Sequence, residues 1–327
     1  MSPRTFIRLF TQIQLLPVME NGEETLVGGQ AVMEGVMMRA PHSYCVAVRK
    51  PGGEIVTEEM PLARISETHK IFKLPVFRGI GTLYQAMTLG VKALRFSTNA
   101  ALDNPDIPEE QRIKEIPTWA IAGPLLFSFA SFLFLYKFMP LFLATRLGKI
   151  YPALSGHIAS NLVDGTIRIV IFLSFLYALS RMKDIRRMFE YHGAEHKVVF
   201  NFESGQDVTV ANAQRFSTFH PRCGTSFLFV MMILAIPVYA LIPFQAFAAK
   251  LICRIVLLPL IVGVSYELIR FAARRRGSFL ATITAPGLWL QRITTKPPSD
   301  EQAAIAIRAL EGAMALERSQ GGQLVIA

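Results

Sequence analysis

Long stretches of apolar residues constrain this chain more than any other feature of its sequence. Hydrophobic residues make up 52% of its 327 residues and charged residues only 18%, and the mean hydropathy is +0.37. Soluble domains do not carry so much apolar mass, so part of the chain needs a solvent other than water. This composition excludes an intrinsically disordered chain, and the presence of only three cysteines excludes a disulfide-rich secreted scaffold. We therefore predict an integral membrane protein.

Four segments are predicted as transmembrane helices, since a helix needs about 20 apolar residues to cross roughly 30 Å of hydrocarbon. They are residues 119–145, 162–180, 227–247 and 251–269. The second is the least regular, because Asp164 and Arg168 lie in its first turns, four residues apart, where they are expected to pair. The predicted fold is a mainly α-helical integral membrane protein with about four transmembrane helices, a small N-terminal β-hairpin and a cytoplasmic loop that holds a metal site.

Basic residues set the predicted orientation, because the cytoplasmic loops of membrane proteins carry an excess of lysine and arginine. The second span is followed by Arg181, Lys183, Arg186 and Arg187, and the fourth by the three arginines 274–276. We therefore expect a multi-pass protein of the bacterial inner (cytoplasmic) membrane, with the lipid bilayer as partner and both termini cytoplasmic. These basic flanks explain the net charge of +10, so no nucleic-acid partner is predicted.

This orientation divides the chain into six segments. They are an N-terminal extension (1–27), a cytoplasmic β-hairpin with a membrane-surface amphipathic helix (28–115), transmembrane helices 1 and 2 (116–180), a cytoplasmic histidine and cysteine loop (181–226), transmembrane helices 3 and 4 (227–272) and a cytoplasmic tail with an amphipathic helix (273–327). The first 16 residues lack the apolar run and the cleavage site of a signal peptide, so none is predicted.

A small β element is predicted between residues 28 and 62. Residues 44–50 show a two-residue period, a Pro-Gly-Gly turn follows, and residues 54–59 return as a second strand. Because an isolated hairpin is marginally stable, it is expected to dock on another part of the chain. The glycine-rich stretch 28–39 either lets the backbone approach a ligand or forms a tight turn, and it lacks the Gly-Lys-Ser/Thr ending of a nucleotide phosphate loop.

A docking helix is predicted in the C-terminal tail. Ser299 and Gln302 form a capping-box pattern, which marks the start of a helix. An apolar stripe then follows at Ala303, Ile307, Leu310 and Met314. Residues 70–96, which are apolar but punctuated by lysine and arginine, are predicted as the amphipathic helix at the membrane surface.

The loop 181–226 carries the strongest chemical signal. His192 and His196 are four residues apart, which places both imidazoles on one helix face, close enough to share a metal ion. Glu195 lies next to that face. The string His-x-x-Glu-His is the inverted zinc peptidase motif, in which the histidines bind Zn²⁺ and the glutamate acts as base on water. We therefore predict His192 and His196 as metal ligands and Glu195 as the catalytic residue.

A third ligand has to come from elsewhere in the chain. The candidates, in order, are His220, Cys223, Glu203 and Glu267. A set of three histidines and one cysteine could instead close a tetrahedral structural site that leaves no position for water. Imidazole suits several first-row metals, so a divalent metal is predicted, with zinc as the default.

Two acidic residues outside the loop have more than one interpretation. Glu267, near the cytoplasmic end of the fourth span, either serves the metal site or pairs with Arg270 or Arg274, because an acid at that depth is costly without a partner. Glu34, in the glycine-rich stretch, is a further candidate for the site.

Five separated motifs resemble the YqhQ-like bacterial membrane proteins. They are residues 28–39 (GGQAVMEGVMMR), 191–197 (YHGAEHK), 220–227 (HPRCGTSF), 265–270 (SYELIR) and 285–295 (APGLWLQRITT). That family is filed as a domain of unknown function and described as predicted metal-dependent enzymes. The resemblance implies an integral membrane protein and a metal role for His192, His196, His220 and Cys223, and it implies no substrate.

Two functions are compatible with these residues. The first is a membrane-embedded, metal-dependent hydrolase with its site at the cytoplasmic membrane surface, acting on a lipid headgroup or a membrane-proximal peptide bond. The alternative is a non-catalytic scaffold or membrane-biogenesis factor whose loop is held by a structural metal. The first predicts an open coordination position, and the second predicts protein ligands only. The oligomeric state stays open, and a homo-oligomer would bring further spans together.

Overall fold

The computed structural model describes residues 27–103, 118–220, 223–244, 246–274 and 279–319, most of them helical. The strands are β1 (Gly28–Val32), β2 (Gly35–Arg39), β3 (Ser43–Arg49) and β4 (Ile55–Pro61). The longer helices are α1 (Phe77–Leu102), α2 (Thr118–Leu133), α3 (Met139–Ile150), α4 (His157–Ser180), α5 (Lys183–Glu203), α6 (Gly224–Ala240), α7 (Phe247–Val256), α8 (Leu258–Arg274), α9 (Phe279–Thr294) and α10 (Asp300–Ser319). A π-helical turn, Phe134–Phe138, joins α2 to α3, and single helical turns cover Ile65–Thr68, Lys70–Lys73, Pro152–Leu154 and Val210–Ala213.

The strands form one antiparallel sheet in the order β1-β2-β3-β4. The predicted hairpin is confirmed, since β3 pairs with β4 and Arg49 lies opposite Ile55. Its turn holds Gly53 at a φ of 87°, a left-handed conformation that glycine adopts without steric cost. The glycine-rich stretch forms a second hairpin, β1–β2, whose tight turn places Glu34 at a φ of 54°.

Helices cover both faces of this sheet. One face packs against α1, and its buried residues include Met37, Tyr44, Val46 and Val48. The other face packs against α5 and α10, and its buried residues include Val36, Met38, Cys45 and Ala47. Central strands covered on both faces are apolar at consecutive positions. The two-residue period in the sequence therefore does not separate a buried face from a solvent face, and the expected docking of the hairpin on other elements is confirmed.

The helix α10 begins with the predicted capping box. The Ser299 N–H donates to Gln302 Oε1 at 2.8 Å, and the Gln302 N–H donates to Ser299 Oγ at 3.3 Å. All members of the predicted apolar stripe are buried, namely Ala303, Ile307, Leu310 and Met314. Near the other end of the helix, the buried Glu317 carboxylate accepts hydrogen bonds from the His42 N–H at 2.8 Å and Ser43 Oγ at 2.9 Å. These contacts fix the helix to the start of β3.

Two helices in the described part of the chain are long and apolar enough to cross a membrane. They are Ala122–Ile150, which runs through α2, the π-helical turn and α3, and His157–Ser180, which is α4. A third span is obtained if α7 and α8, which are bent by 46° relative to each other, are counted as one. The structure therefore supports two or three apolar spans where the sequence predicts about four. The segment 162–180, the least regular in sequence, lies in one of the two clear spans.

Prolines explain why the other predicted spans are shorter. Pro237 lies inside α6, which has only 17 residues, so the apolar segment 227–247 does not form one long helix. Pro259 is the second residue of α8, and because proline has no N–H to donate, the regular helix breaks just before it. In the first span, the π-helical turn ends two residues before Pro140, and the helix continues through that proline.

The helix α5 connects the apolar helices to the sheet. It follows α4 after a short turn, and it packs against β1, β2 and α10. The helix α1 makes a second connection, since it contacts both β3 and α8. The histidine-bearing part of α5 consequently lies where the sheet, α1 and the start of α6 meet.

Candidate metal centre

Three potential ligands converge at this junction. One side-chain atom each from His192, His196 and Cys223 lies within 4.8 Å of the other two. The Cys223 Sγ atom is 3.3 Å from His192 Nε2, and the two imidazole ring centroids are 4.4 Å apart. The predicted placement of both imidazoles on one helix face is therefore confirmed. Cys223 reaches them as the residue that precedes the first turn of α6.

Backbone carbonyls orient both imidazoles. His192 Nδ1 lies 2.8 Å from the Thr294 carbonyl oxygen, and His196 Nδ1 lies 2.5 Å from the Thr218 carbonyl oxygen. A carbonyl oxygen only accepts hydrogen bonds, so each Nδ1 carries the proton and donates it. Each Nε2 atom then keeps a lone pair for a metal, which is the usual arrangement of a metal-binding histidine.

The surroundings favour neutral imidazoles. Burial lowers the pKa of His196, and this effect outweighs the interaction with Cys223, which raises the pKa. Burial also lowers the pKa of His220. Because only a neutral imidazole has a lone pair to give, these shifts favour metal binding at neutral pH.

Glu195 lies beside the three ligands. Its Oε2 atom is 3.5 Å from His196 Nε2, and the residue is only 6% exposed. Strand β1 covers it closely, since a Cβ atom on Gly29 would lie 2.7 Å from Glu195 Cγ. The glycine-rich stretch therefore serves the site by allowing the backbone to pack against this carboxylate.

A cavity of about 350 Å³ opens next to the cluster. Its walls include His192, Glu195, His196 and Cys223 on one side and residues of β1, β2 and α1 on the other. Arg39, at the end of β2, also lines the cavity and was not predicted from the sequence. Burial, together with repulsion from Arg64, lowers the pKa of Arg39, but a guanidinium remains charged at neutral pH. The cavity thus combines a metal-ligand cluster, a carboxylate and a cation.

His220 and Glu203 lie next to the cluster but outside the three converging ligand atoms. His220 Nε2 is 3.5 Å from Glu203 Oε2, and its ring centroid is 5.6 Å from that of His196. Gln291 holds the His220 backbone from both sides, accepting from its N–H and donating to its carbonyl, each at 2.7 Å. Cys223, the second candidate, therefore converges with the two histidines, whereas His220 lines the same cavity without joining them.

Glu34 and Glu267 lie in ion pairs away from the cluster. Glu34 accepts from Arg187 NH2 at 2.7 Å and from Tyr191 Oη at 3.3 Å. Burial, reinforced by the Glu34 charge, raises the pKa of Tyr191 to about 12, so this phenol keeps its proton. Glu267 pairs with Arg78 and accepts from the Val76 N–H at 3.2 Å. The partner shown for Glu267 is therefore Arg78 of α1, while Arg270 adds an electrostatic attraction and the Arg274 side chain lies outside the described residues.

Two further residues of the motif 191–197 position the site without lining it. A Cβ atom on Gly193 would lie 2.0 Å from the Lys296 carbonyl oxygen, so only glycine allows α5 to approach this segment. The Lys197 ammonium donates to the carbonyls of Gln214 and Phe216, each at 2.7 Å. These contacts fix the two chain segments whose carbonyls orient the imidazoles.

The donor set fits a divalent metal ion. Two imidazole nitrogens and one thiolate sulfur are ligands that zinc prefers, and three protein ligands leave a fourth tetrahedral position for water or substrate. His192, His196 and Cys223 would hold such an ion on the cavity side of α5.

Comparison with known proteins places the chain in a family. Residues 74–316 match the family described as "Protein of unknown function (DUF1385)". The chain is also 35% identical over 299 residues to the "Uncharacterized protein YqhQ" of Bacillus subtilis (strain 168), an alignment that covers 89% of this chain and 92% of the relative. No solved structure matches it. The protein belongs to the DUF1385 family, whose function is unknown.

Proposed function

We propose that the protein is a metal-dependent hydrolase, embedded in the membrane, with its site at the cytoplasmic membrane surface. The observation that carries this proposal is the convergence of three ligand atoms within 4.8 Å, beside a buried glutamate, at the wall of a cavity of about 350 Å³. Three protein ligands with an open position are typical of catalytic zinc sites, whereas structural sites have four.

The residues of the site have distinct roles in this proposal. His192, His196 and Cys223 hold the metal, and the carbonyls of Thr218 and Thr294 keep the imidazoles in the binding tautomer. A bound divalent metal supplies Lewis-acid polarisation of the scissile group and makes water easier to deprotonate. Glu195 Oε2 accepts the proton of the attacking water and returns it to the leaving group.

The exposed apolar surface supports the membrane placement. Only 22% of the most apolar window of Ala122–Ile150 is buried, and α4 has the same value. On α1, Tyr84 and Met87 are each 61% exposed, with the exposed Lys92 and Arg95 on the following turns. Such apolar surface is costly in water and suits lipid, and the basic residues suit anionic headgroups. In our proposal both termini lie on the cytoplasmic side of the bacterial inner membrane.

Arg39 indicates the substrate class. A guanidinium at the wall of a metal-site cavity favours an anionic group, and it binds phosphate oxygens in a bidentate geometry. A phosphate ester in a lipid headgroup meets this requirement, whereas a peptide bond is neutral. We therefore favour a phospholipid headgroup over a membrane-proximal peptide as the substrate.

The test uses the full-length protein, loaded with zinc and reconstituted in vesicles of anionic phospholipid in ¹⁸O-labelled water. Glu195→Gln is expected to lower the rate of ¹⁸O incorporation into the released headgroup by about 10²-fold or more, because it removes the general base. Its metal content should equal that of wild type, since Glu195 is not among the three ligands. The matched control is Glu190→Gln on the same helix, whose carboxylate bonds to Gln302 at 3.1 Å, outside the cavity.

Either of two results would contradict the hydrolase. The first is a Glu195→Gln protein that binds metal and retains the wild-type rate. The second is a metal-loaded wild type that labels no product and whose metal is coordinated by protein atoms alone. The second result would support the non-catalytic scaffold with a structural metal.

A further inference from the structure

A second buried polar cluster lies at the opposite end of α6. Its centre is Tyr239, sixteen residues after Cys223 and therefore about 24 Å further along the helix. Three cationic side chains lie over the Tyr239 ring, with Lys137 Nζ at 5.2 Å, Arg168 Cζ at 5.0 Å and Arg254 Cζ at 4.9 Å from its centroid. All three cationic residues are at most 6% exposed.

The cluster has an excess of positive charge. Within the described part of the chain, Asp164 is the carboxylate that pairs with these cations, contacting Arg168 and, at 2.5 Å, Arg254 NH1. The Lys137 ammonium donates to Tyr239 Oη at 2.6 Å, which is a neutral partner. Three cations against one carboxylate leave two positive charges uncompensated. Since arginine is always charged, one remains even with a neutral Lys137.

Some guanidinium N–H groups of the cluster also lack acceptors. Among the described residues, Arg168 Nε and NH1 and Arg254 Nε are buried without a hydrogen-bond partner. A buried donor without an acceptor costs about 1–3 kcal/mol, and more when it is charged. An occupant with anionic oxygens beside Arg168 would offer acceptors to its two free N–H groups and would offset the excess charge.

A cavity of about 250 Å³ adjoins the cluster. Lys137 and Arg168 line it, and the rest of its wall is apolar, including Phe172 and Met232. Two lining residues, Phe175 at 44% and Leu228 at 39%, are exposed on the outside of α4 and α6. The cavity is therefore reached from the outer surface of the apolar helices, which faces lipid in the proposed membrane placement.

We propose that this cavity binds an anionic membrane lipid, whose phosphate oxygens contact Lys137 and Arg168 and whose proximal acyl chain lies against the apolar wall. The inference rests on the membrane placement but not on the metal chemistry. A soluble anion would leave the apolar wall unfilled. The volume is below the roughly 300–1,000 Å³ of pockets that enclose a whole small molecule, so most of the lipid remains in the bilayer.

The test is native mass spectrometry of the full-length protein, released from neutral detergent and titrated with dioleoyl phosphatidic acid. Dioleoylglycerol, which has the same chains without the phosphate, and glycerol phosphate, which has no chains, are the comparison probes. All titrations use an Arg39→Gln background, which removes the anion-binding residue of the metal cavity. A negative result here therefore leaves the hydrolase proposal untouched.

One phosphatidic acid molecule should bind each chain at least about tenfold more tightly than dioleoylglycerol, and glycerol phosphate should not compete. Lys137→Gln should lower the affinity for phosphatidic acid by about tenfold or more, because a charged hydrogen bond is lost. The exposed Lys149→Gln, on the same continuous helix, should leave its affinity unchanged. Leu228→Trp, at the exposed mouth, should reduce binding without altering charge.

Equal affinities for phosphatidic acid and dioleoylglycerol would overturn the proposal, because the cations would then play no part. A folded Lys137→Gln protein that binds phosphatidic acid as the Arg39→Gln background does would overturn it as well. So would effective competition by glycerol phosphate, since the site would then accept a soluble anion.

Discussion

The two ends of α6 carry buried polar clusters of opposite character. At its start, Cys223 and the imidazoles of His192 and His196 turn three electron-pair donors toward one point. Near its end, three buried cations lie over the Tyr239 ring, and among the described residues two of them carry N–H groups without an acceptor. The first arrangement suits a cation and the second an anion. One short helix therefore separates the two sites for which we propose ligands of opposite charge.

The clusters also differ in what stabilises them. The imidazoles are oriented by uncharged backbone carbonyls, so removing one of them leaves no buried charge without a partner. The arginines at the other end depend on the single carboxylate of Asp164, so its loss leaves buried charges without a partner. Removing a candidate ligand at the first end should therefore affect metal binding, and removing Asp164 at the second end should affect folding.

The largest effect is expected for Asp164→Asn. Breaking a buried ion pair by removing one partner costs about 3–5 kcal/mol, and here two arginines lose their carboxylate. The free energy of unfolding in detergent should fall by that amount, while the metal content of the folded protein stays unchanged. The exposed Asp184→Asn is the matched control. A loss below about 0.5 kcal/mol would show that the arginines do not depend on Asp164.

Next in size is the contrast between Cys223→Ala and His220→Ala. Cys223 is one of the three converging ligands and His220 is not, so only the cysteine should be essential for metal. Removal of residues that support ligands costs 10- to 100-fold in affinity, so loss of the direct ligand should cost about 100-fold or more. His220→Ala should cost about tenfold or less. Zinc titration against a chelator measures both, and equal losses would indicate a four-ligand site.

A smaller effect is expected for Gly193→Ala, which adds a Cβ atom 2.0 Å from the Lys296 carbonyl oxygen. Overpacking of this kind costs about 1–3 kcal/mol, and it should also weaken metal binding by moving α5 from the Thr294 carbonyl. Gly123→Ala is the control, because nothing lies within 4 Å of the added atom. Thermal unfolding measures the loss of stability of each variant, and zinc titration measures its loss of metal affinity. Equal behaviour of the two variants would show that this close approach is not needed.

The sequence revealed those parts of each cluster that depend on local geometry. The spacing of His192 and His196 and the pairing of Asp164 with Arg168 both follow from residues four apart on a helix. Lys137 and Arg254 join the second cluster from other helices, and Arg39 joins the first from a strand. No local sequence pattern predicts such contacts, because they depend on how the helices and strands pack against one another.

The number of spans shows a different limit of sequence reasoning. Apolar composition located the helices of the four predicted spans, but it did not give their lengths and it missed α9, which lies in the predicted tail. Pro237 and Pro259 shorten or bend two of the predicted spans through lost backbone hydrogen bonds, which a hydropathy average does not register. The short apolar pattern of β3 likewise did not reveal that helices cover both faces of its sheet.

The smallest effect is a pH dependence remote from both clusters. A hydrogen bond that the His42 ring donates to Glu317 raises the pKa of His42 above its ordinary 6.5, although burial opposes the shift. Burial would raise the pKa of Glu317, but hydrogen bonds from His42 and Ser43 lower it below 4.5. The histidine contributes stability below its ordinary pKa and loses it as pH rises through the raised value. The Glu317 carboxylate contributes stability above its ordinary pKa of 4.5, and this contribution is lost as pH falls through the lowered pKa.

Docking of α10 on β3 should consequently be strongest between pH 4.5 and 6.5. Unfolding measured at about pH 5.5 and about pH 8 should differ by about 1 kcal/mol or less, because the His42 ring is partly exposed. His42→Gln should remove this difference while leaving the rest of the pH profile intact. The prediction would be contradicted if wild type were more stable at about pH 8 than at about pH 5.5 and His42→Gln abolished that difference.

The most direct test of the account is the metal content of detergent-purified protein, measured by elemental analysis beside His192→Ala/His196→Ala. The exposed His69→Ala serves as the control for loss of a histidine. We predict about one metal ion per chain in wild type and in His69→Ala, and none in the folded double variant. A wild type that holds no metal after reconstitution with Zn²⁺, Mn²⁺ or Fe²⁺, or a double variant that holds as much as wild type, would contradict the metal centre proposed for this protein.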